Sequence, residues 1–375
     1  YLDAVEAAGS TLNLAVQVGH ATVRSCVVGL DARAPTGDEL DRMKRLVSES
    51  LDAGAMGLST GLFYSPGNYA RLEEVIELAA LAADRGKVYS THIRDEGSHS
   101  VGLFVALNEA IEIGRRTGVR VQVSHVKCMG PSVWGRAGDI LEHFERTTRE
   151  GIDMAGDQYP YSAGSTGLTG AIFPRWALDG GREATLRIMA DPDTRERLLA
   201  DIGDIYEKTG GAEAVVIARF APDPRYEGMN MLQISEEIGR GPAEAALALY
   251  EEGDGQVVIH MMQDSDVDSI AAHPLISVGS DGSSLSTEGV LSVGRPHPRS
   301  YGTNPRFLTR FVRDRRIVSL PEAIRKMTTL PASRLGLTRR GRIAPGFAAD
   351  LVVFDPGSVS DTATFEAPHS YASGI

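Results

Sequence analysis

The 375-residue chain has only two cysteines, Cys26 and Cys128. Two thiols cannot build a disulfide framework; this fits a reducing compartment and makes the cytoplasm the default location. No apolar run reaches the length of a membrane span, and no secretory signal begins at Tyr1. Basic residues are in deficit: 38 Lys and Arg stand against 50 Asp and Glu, a formal charge of −12. An acidic surface argues against nucleic acid or an anionic membrane as partner and leaves a small molecule. Gly-x-Gly-x-x-Gly and Walker patterns are missing, so no nucleotide cofactor is implied.

What is present is a rhythm. Short apolar runs at 12–19, 55–60, 87–92, 119–126, 152–159 and 275–279 alternate with helical segments at 38–53, 73–85, 100–116 and 139–149. Such alternation predicts parallel βαβ units, and a chain of this length has room for a large barrel and an accessory domain. The rhythm breaks at about 162–222, which reads as an insertion after a barrel strand, where lids sit. Strand character resumes at 214–218 and 256–260, with a helix over 235–251 between them and another over 321–327. Residues 341–343 and 350–355 read as strands outside any barrel, joined by a Pro-Gly turn. The chain opens inside an amphipathic segment without a methionine and ends without a helix or charged tail. It is expected to lack both ends of a longer protein.

Two of the strands end alike. Lys87–Arg94 (KVYSTHIR) and Val119–Lys127 (VRVQVSHVK) each run into Ser/Thr, a histidine, one spacer and a base. A lone histidine at a strand end is more often a hydrogen-bonded structural residue than a ligand. Two at matched exits of successive parallel strands would share one barrel mouth, and two neutral imidazoles are half of a zinc site. His92 and His125 are the candidate ligands. Asp281, in the Gly279–Gly282 turn (GSDG), is either plain turn chemistry or the carboxylate that moves the proton in metal-assisted hydrolysis. Tyr64, Lys127, Tyr159 and Ser165 follow strand exits and could hold a substrate carboxylate; solvation or packing explains each of them singly. Arg94 could pin the same carboxylate or pair with Asp95 or Glu96. Cys128 has no zinc-ribbon spacing and reads as a buried hydrophobe; His20, His260 and His297 read as structural.

An ordered series of motifs then stands out: Gly57–Tyr64 (GLSTGLFY), Thr91–Glu96 (THIRDE), Ser124–Lys127 (SHVK), Asp157–Thr166 (DQYPYSAGST), Gly279–Gly282 (GSDG) and His297–Thr303 (HPRSYGT). The series resembles the D-aminoacylases (N-acyl-D-amino-acid deacylases) of the amidohydrolase superfamily. The segments 329–337, 340–346 and 348–355 are similar to that superfamily's return to a small β-sandwich. The resemblance implies an α/β fold: a (β/α)8 TIM-like barrel, incomplete at its N-terminus, over 1–338 with strands three to eight present and a mobile lid. Part of a β-sandwich is implied over 339–375. It implies Zn2+ on His92 and His125, catalysis by Asp281, and substrate-carboxylate contacts on Tyr64, Lys127, Tyr159 and Ser165. Family members also carry a His-x-His and a bridging cysteine on earlier strands, which this chain does not contain. Asn304 stands where an aromatic is common.

The implied activity is zinc-dependent hydrolysis of N-acyl-D-amino acids. One rival is a cyclic-amide hydrolase of the dihydropyrimidinase or dihydroorotase type. It is disfavoured because the strand Met56–Thr60 has no lysine to carboxylate. A second rival is a catalytically incompetent fragment.

Overall fold

The computed structural model describes residues 2–375; Tyr1 lies outside the described residues. Six parallel strands form one sheet in the order β1 (Val18–Gly19), β2 (Gly57–Gly61), β3 (Val88–His92), β4 (Arg120–Val123), β5 (Met154–Gln158) and β9 (Ile276–Val278). The order follows the chain, and helices return along the outer face, as in the wall of a (β/α)8 barrel. Each helix has a local reason to start or stop. Gly37–Asp52 opens with a capping box, Thr36 accepting from the Glu39 N–H while Glu39 accepts from that of Thr36. Leu103–Thr117 ends at Gly118, whose φ of +69° is left-handed.

Alternation along each strand sorts its side chains between the two faces. In β3, Val88, Ser90 and His92 face a cavity of about 570 Å3 inside the curved sheet. Tyr89 packs outward among the helices with Leu58, Leu78, Leu107 and Val121. The inner face is polar, with Ser59, Gln122, Ser124, Asp157 and Ser277 on that cavity. Strand spacing leaves no room at Gly57, where a Cβ would lie 2.2 Å from the Val88 carbonyl oxygen. Since the obstacle is backbone, Gly57→Ala is expected to cost about 3 kcal/mol by urea unfolding. A loss below about 0.5 kcal/mol would mean that β2 and β3 can move apart freely.

Between β5 and β9 the chain leaves the barrel wall. Strands β6 (Ala163–Gly167), β7 (Val215–Arg219) and β8 (Gln256–His260) form an antiparallel sheet in the order β6-β8-β7. The insertion expected at 162–222 therefore extends to His260. The apolar run 257–259 is buried because β8 is the central strand of this second sheet, not because it lines the barrel.

Three further expectations are corrected. Of the strand expected at 12–19 only Val18–Gly19 forms a ladder with β2, extended by one bond from the Met56 N–H to the Val16 carbonyl at 2.7 Å; Leu12 and Leu14 are exposed. The helix expected over 235–251 is two, Met231–Ile238 and Pro242–Glu252, since Gly239 adopts φ +68° and Pro242 restarts the helix. Residues 341–343 and 350–355 form no ladder: Ile343 and Val353 are both 89% exposed, with no partner strand among the described residues. No described helix is long and apolar enough to cross a membrane.

Candidate active site

His92 ends the inward face of β3, opposite Gly61 of β2. His125 lies two residues past β4. By alternation with Gln122 and Ser124 it would point away from the cavity. Its φ of +39°, rare for a residue with a side chain, turns it back, and its N–H is held at 2.7 Å by the Asp157 carboxylate. The rings then meet nearly at right angles, centroids 4.1 Å apart, with Nδ1 of His92 directly against Nε2 of His125. Burial, reinforced by the facing His125, pushes His92 down to about 3, so its ring is neutral and keeps a lone pair.

The far side of His125 is held by charge. Glu96 Oε1 is 2.8 Å from Nδ1 of His125 and 2.5 Å from Nζ of Lys127. Burial alone would raise the Glu96 carboxyl, but Lys127 and His125 hold it well below the usual range, so it is ionised. Burial draws Lys127 below the ordinary lysine range, with Glu96 opposing. Nδ1 of His125 thus faces both the Glu96 carboxylate and, at 2.5 Å, Nζ of Lys127, while Nε2 faces Nδ1 of His92. Two ring nitrogens turned toward each other are held either by a proton shared between them or by a cation that takes both lone pairs. The pair therefore fits a zinc ion as two donors of its shell. Among the described residues no cluster of three or more His, Cys, Asp or Glu completes that shell.

Asp281 also adopts a left-handed conformation, φ +48°, and its carboxylate is 2.8 Å from the Arg299 guanidinium. A small cavity of about 40 Å3 is lined by Tyr64, His125, Lys127, Tyr159, Ser165 and Asp281. Arg299 closes one side: its guanidinium lies over the Tyr159 ring, 4.8 Å from the centroid, and donates to the Ser165 carbonyl at 3.1 Å. Burial pushes the Tyr64 hydroxyl up to about 12 and that of Tyr159 well above the ordinary value, so both remain donors.

The structure thus brings together Asp281, His92, His125, Tyr64, Lys127, Tyr159 and Ser165. It does not bring in Arg94. That guanidinium is consumed by Glu109 at 2.6 and 2.8 Å and by the carbonyls of Asn68 and Ala70 at 2.8 and 2.9 Å. Three contributors went unnoticed in the sequence: Glu96, Asp157 and Arg299. Each lies inside a quoted motif, yet only a partner distant in the chain gives it a task.

The chain is similar to proteins of known activity. The amidohydrolase family profile matches residues 284–374. A D-aminoacylase of Alcaligenes xylosoxydans xylosoxydans is 36% identical over 375 residues, covering 100% of this chain and 67% of that protein. The crystal structure of D-aminoacylase superposes with a TM-score of 0.79 at 36% identity over 98% of this chain and 67% of its own. An N-acyl-D-glutamate deacylase from Bordetella bronchiseptica, complexed with zinc and a phosphonate mimic of the tetrahedral intermediate, superposes at 0.81 with 34% identity. That match covers 100% of this chain and 68% of the deacylase. At 36% identity over its whole length and over two thirds of the D-aminoacylase, the chain belongs to the D-aminoacylase (N-acyl-D-amino-acid deacylase) family of amidohydrolases.

Proposed function

We propose that this chain provides the reaction centre for hydrolysis of the amide of N-acyl-D-amino acids to a carboxylate and a free D-amino acid. The observation that carries the reading is that His125, Asp281, Lys127, Tyr64 and Tyr159 line one small cavity, with the His92 ring packed against that of His125. His92 and His125 would hold zinc, which when bound polarises the acyl carbonyl and acidifies the attacking water. Asp281 accepts the proton of that water and returns it to the departing nitrogen, so it ends the cycle as it began. Tyr64, Lys127, Tyr159 and Ser165 hold the substrate α-carboxylate. An anchored carboxylate and an anchored carbonyl leave one hand of Cα with its hydrogen toward the protein, which is how handedness is read. Glu96 keeps His125 oriented and Lys127 charged. The small-molecule partner, the cytoplasmic setting, and the division into 1–338 and 339–375 belong to the same reading.

The test is the purified chain loaded with zinc and offered N-acetyl-D-amino acids, their L-enantiomers and hydantoin, with released amine or ring opening measured. Release from the D-substrates at least about 100-fold faster than from the L-substrates is expected, a difference of about 3 kcal/mol between diastereomeric transition states. Opening of hydantoin without deacylation would restore the cyclic-amide reading. No release at any zinc loading would favour the incompetent one.

A further inference from the structure

Asp281 sits on a long connection, residues 279–298, that joins β9 to the helix Arg299–Arg306, whose first residue is its partner Arg299; the connection contains one short 3-10 turn, Gly289–Leu291. Such a loop needs outside support to hold a reacting carboxylate in place. Part of it comes from β6: His297 donates from Nε2 to the Ala163 carbonyl at 2.9 Å and accepts the Arg299 N–H on Nδ1 at 3.0 Å. The remainder comes from the end of the chain.

Residues 359–373 fold back over this connection and close on themselves through reciprocal bonds between Ser360 and Ser373 at 2.9 and 3.0 Å. Asp361 fastens the segment to Arg306 at 3.1 Å and Thr309 at 3.0 Å. Phe365 stands edge-on to the His297 ring with centroids 5.0 Å apart. His369 lies between two parts of the connection and its helix. Its Nε2 is 2.9 Å from the Gly294 carbonyl oxygen, and its Nδ1 is 2.9 Å from the Tyr301 hydroxyl, itself 2.9 Å from the Ser286 carbonyl oxygen. The one Tyr301 hydroxyl proton serves either Nδ1 of His369 or the Ser286 carbonyl, so the imidazole ties Gly294 to the helix that begins with Arg299, and Tyr301 keeps Ser286 alongside. Tail, loop and helix form a continuous chain of contacts ending on the Asp281 carboxylate.

We infer that the segment 359–371 is a strap that positions the Asp281–Arg299 pair, with His369 as its positioning residue; neither His369 nor Phe365 lines the small cavity. The inference rests on the deacylase reading only for its kinetic arm. With Nε2 donating to the Gly294 carbonyl, Nδ1 is left to accept from the Tyr301 hydroxyl, a pattern that the amide of glutamine reproduces and alanine does not. In the zinc-loaded full chain, His369→Ala is expected to lower kcat on an N-acetyl-D-amino acid about 10- to 100-fold with KM changed less than about threefold, and His369→Gln to recover most of the loss. Zinc content should not change, because His92 and His125 hang on β3 and β4.

Hydrogen–deuterium exchange gives a readout that needs no turnover. Amides of 282–296 should exchange at least about tenfold faster in His369→Ala and in Tyr301→Phe, with β3 and β4 protected as before. Unchanged exchange at 282–296 in both variants would overturn the strap whatever the substrate proves to be. So would a kcat that glutamine fails to restore while exchange is restored. A wild-type chain that deacylates nothing, yet loses loop protection in the variants, would refute the activity and leave the strap standing.

Discussion

Asp281→Asn is expected to reduce turnover of an N-acyl-D-amino acid by about 10²- to 10⁴-fold while leaving the fold and the zinc content intact. The loss, about 3 to 5 kcal/mol in the barrier, is what removing a proton-transfer group costs when binding and electrostatics remain. Asparagine suits the test because Asp281 has φ +48°. A side-chain amide tolerates left-handed backbone where most residues are strained, so the turn after β9 survives. The amide can still meet Arg299, which now lies 2.8 Å from the carboxylate, but it cannot accept a proton from water. Stopped assays, metal analysis and thermal unfolding on one preparation separate the outcomes. Reduced turnover with unchanged melting and metal fits the assignment. Turnover within about threefold of wild type would remove Asp281 from the chemistry and shift attention to Glu96, whose carboxylate faces the His125 ring and lines the same charged cluster as Lys127.

The residues involved show which parts of this architecture can be read in a sequence. The strands carrying the histidines were legible because alternation and strand length are local. Val88, Ser90 and His92 share a face for reasons contained within five residues, and the helix before them ends just ahead of Gly86. The site as a cluster was legible because most members stand at or just past a barrel strand's end, where the barrel gathers its functional groups; Ser165 differs, lying within β6 of the second sheet. Local information fails where a partner is far away. Gln256–His260 has the composition of a buried strand, and only its pairing with Ala163–Gly167 and Val215–Arg219 shows that it belongs to the insertion. Arg94 had the right charge just past His92 at the strand exit, yet Glu109, 15 residues on, captures it. The reversal of His125 is a backbone event that no side-chain pattern announces.

A second large effect is expected far from the chemistry. Glu74→Ala should destabilise the chain by about 3 to 5 kcal/mol, because it strands a buried cation. Arg24 is fully buried and gives two hydrogen bonds to the Glu74 carboxylate, at 2.7 and 2.9 Å; buried His20 contributes a third at 2.8 Å. Arg24 lies on the helix after β1 and Glu74 in the first turn of the helix after β2, where a carboxylate also complements the helix N-terminus. The triad thus locks two βα units together. Burial alone would raise the Glu74 carboxyl, but His20 and Arg24 outweigh it and hold it below the ordinary range. A depressed carboxyl stabilises the folded state at every pH above its unfolded value of about 4.3, and the stabilisation disappears as pH falls through the lower, folded value. Wild type should therefore lead Glu74→Gln in urea midpoint at neutral pH and lose that lead progressively below about pH 4. A gap that stays constant down to about pH 2 would assign the contribution of Glu74 to packing, not to its charge.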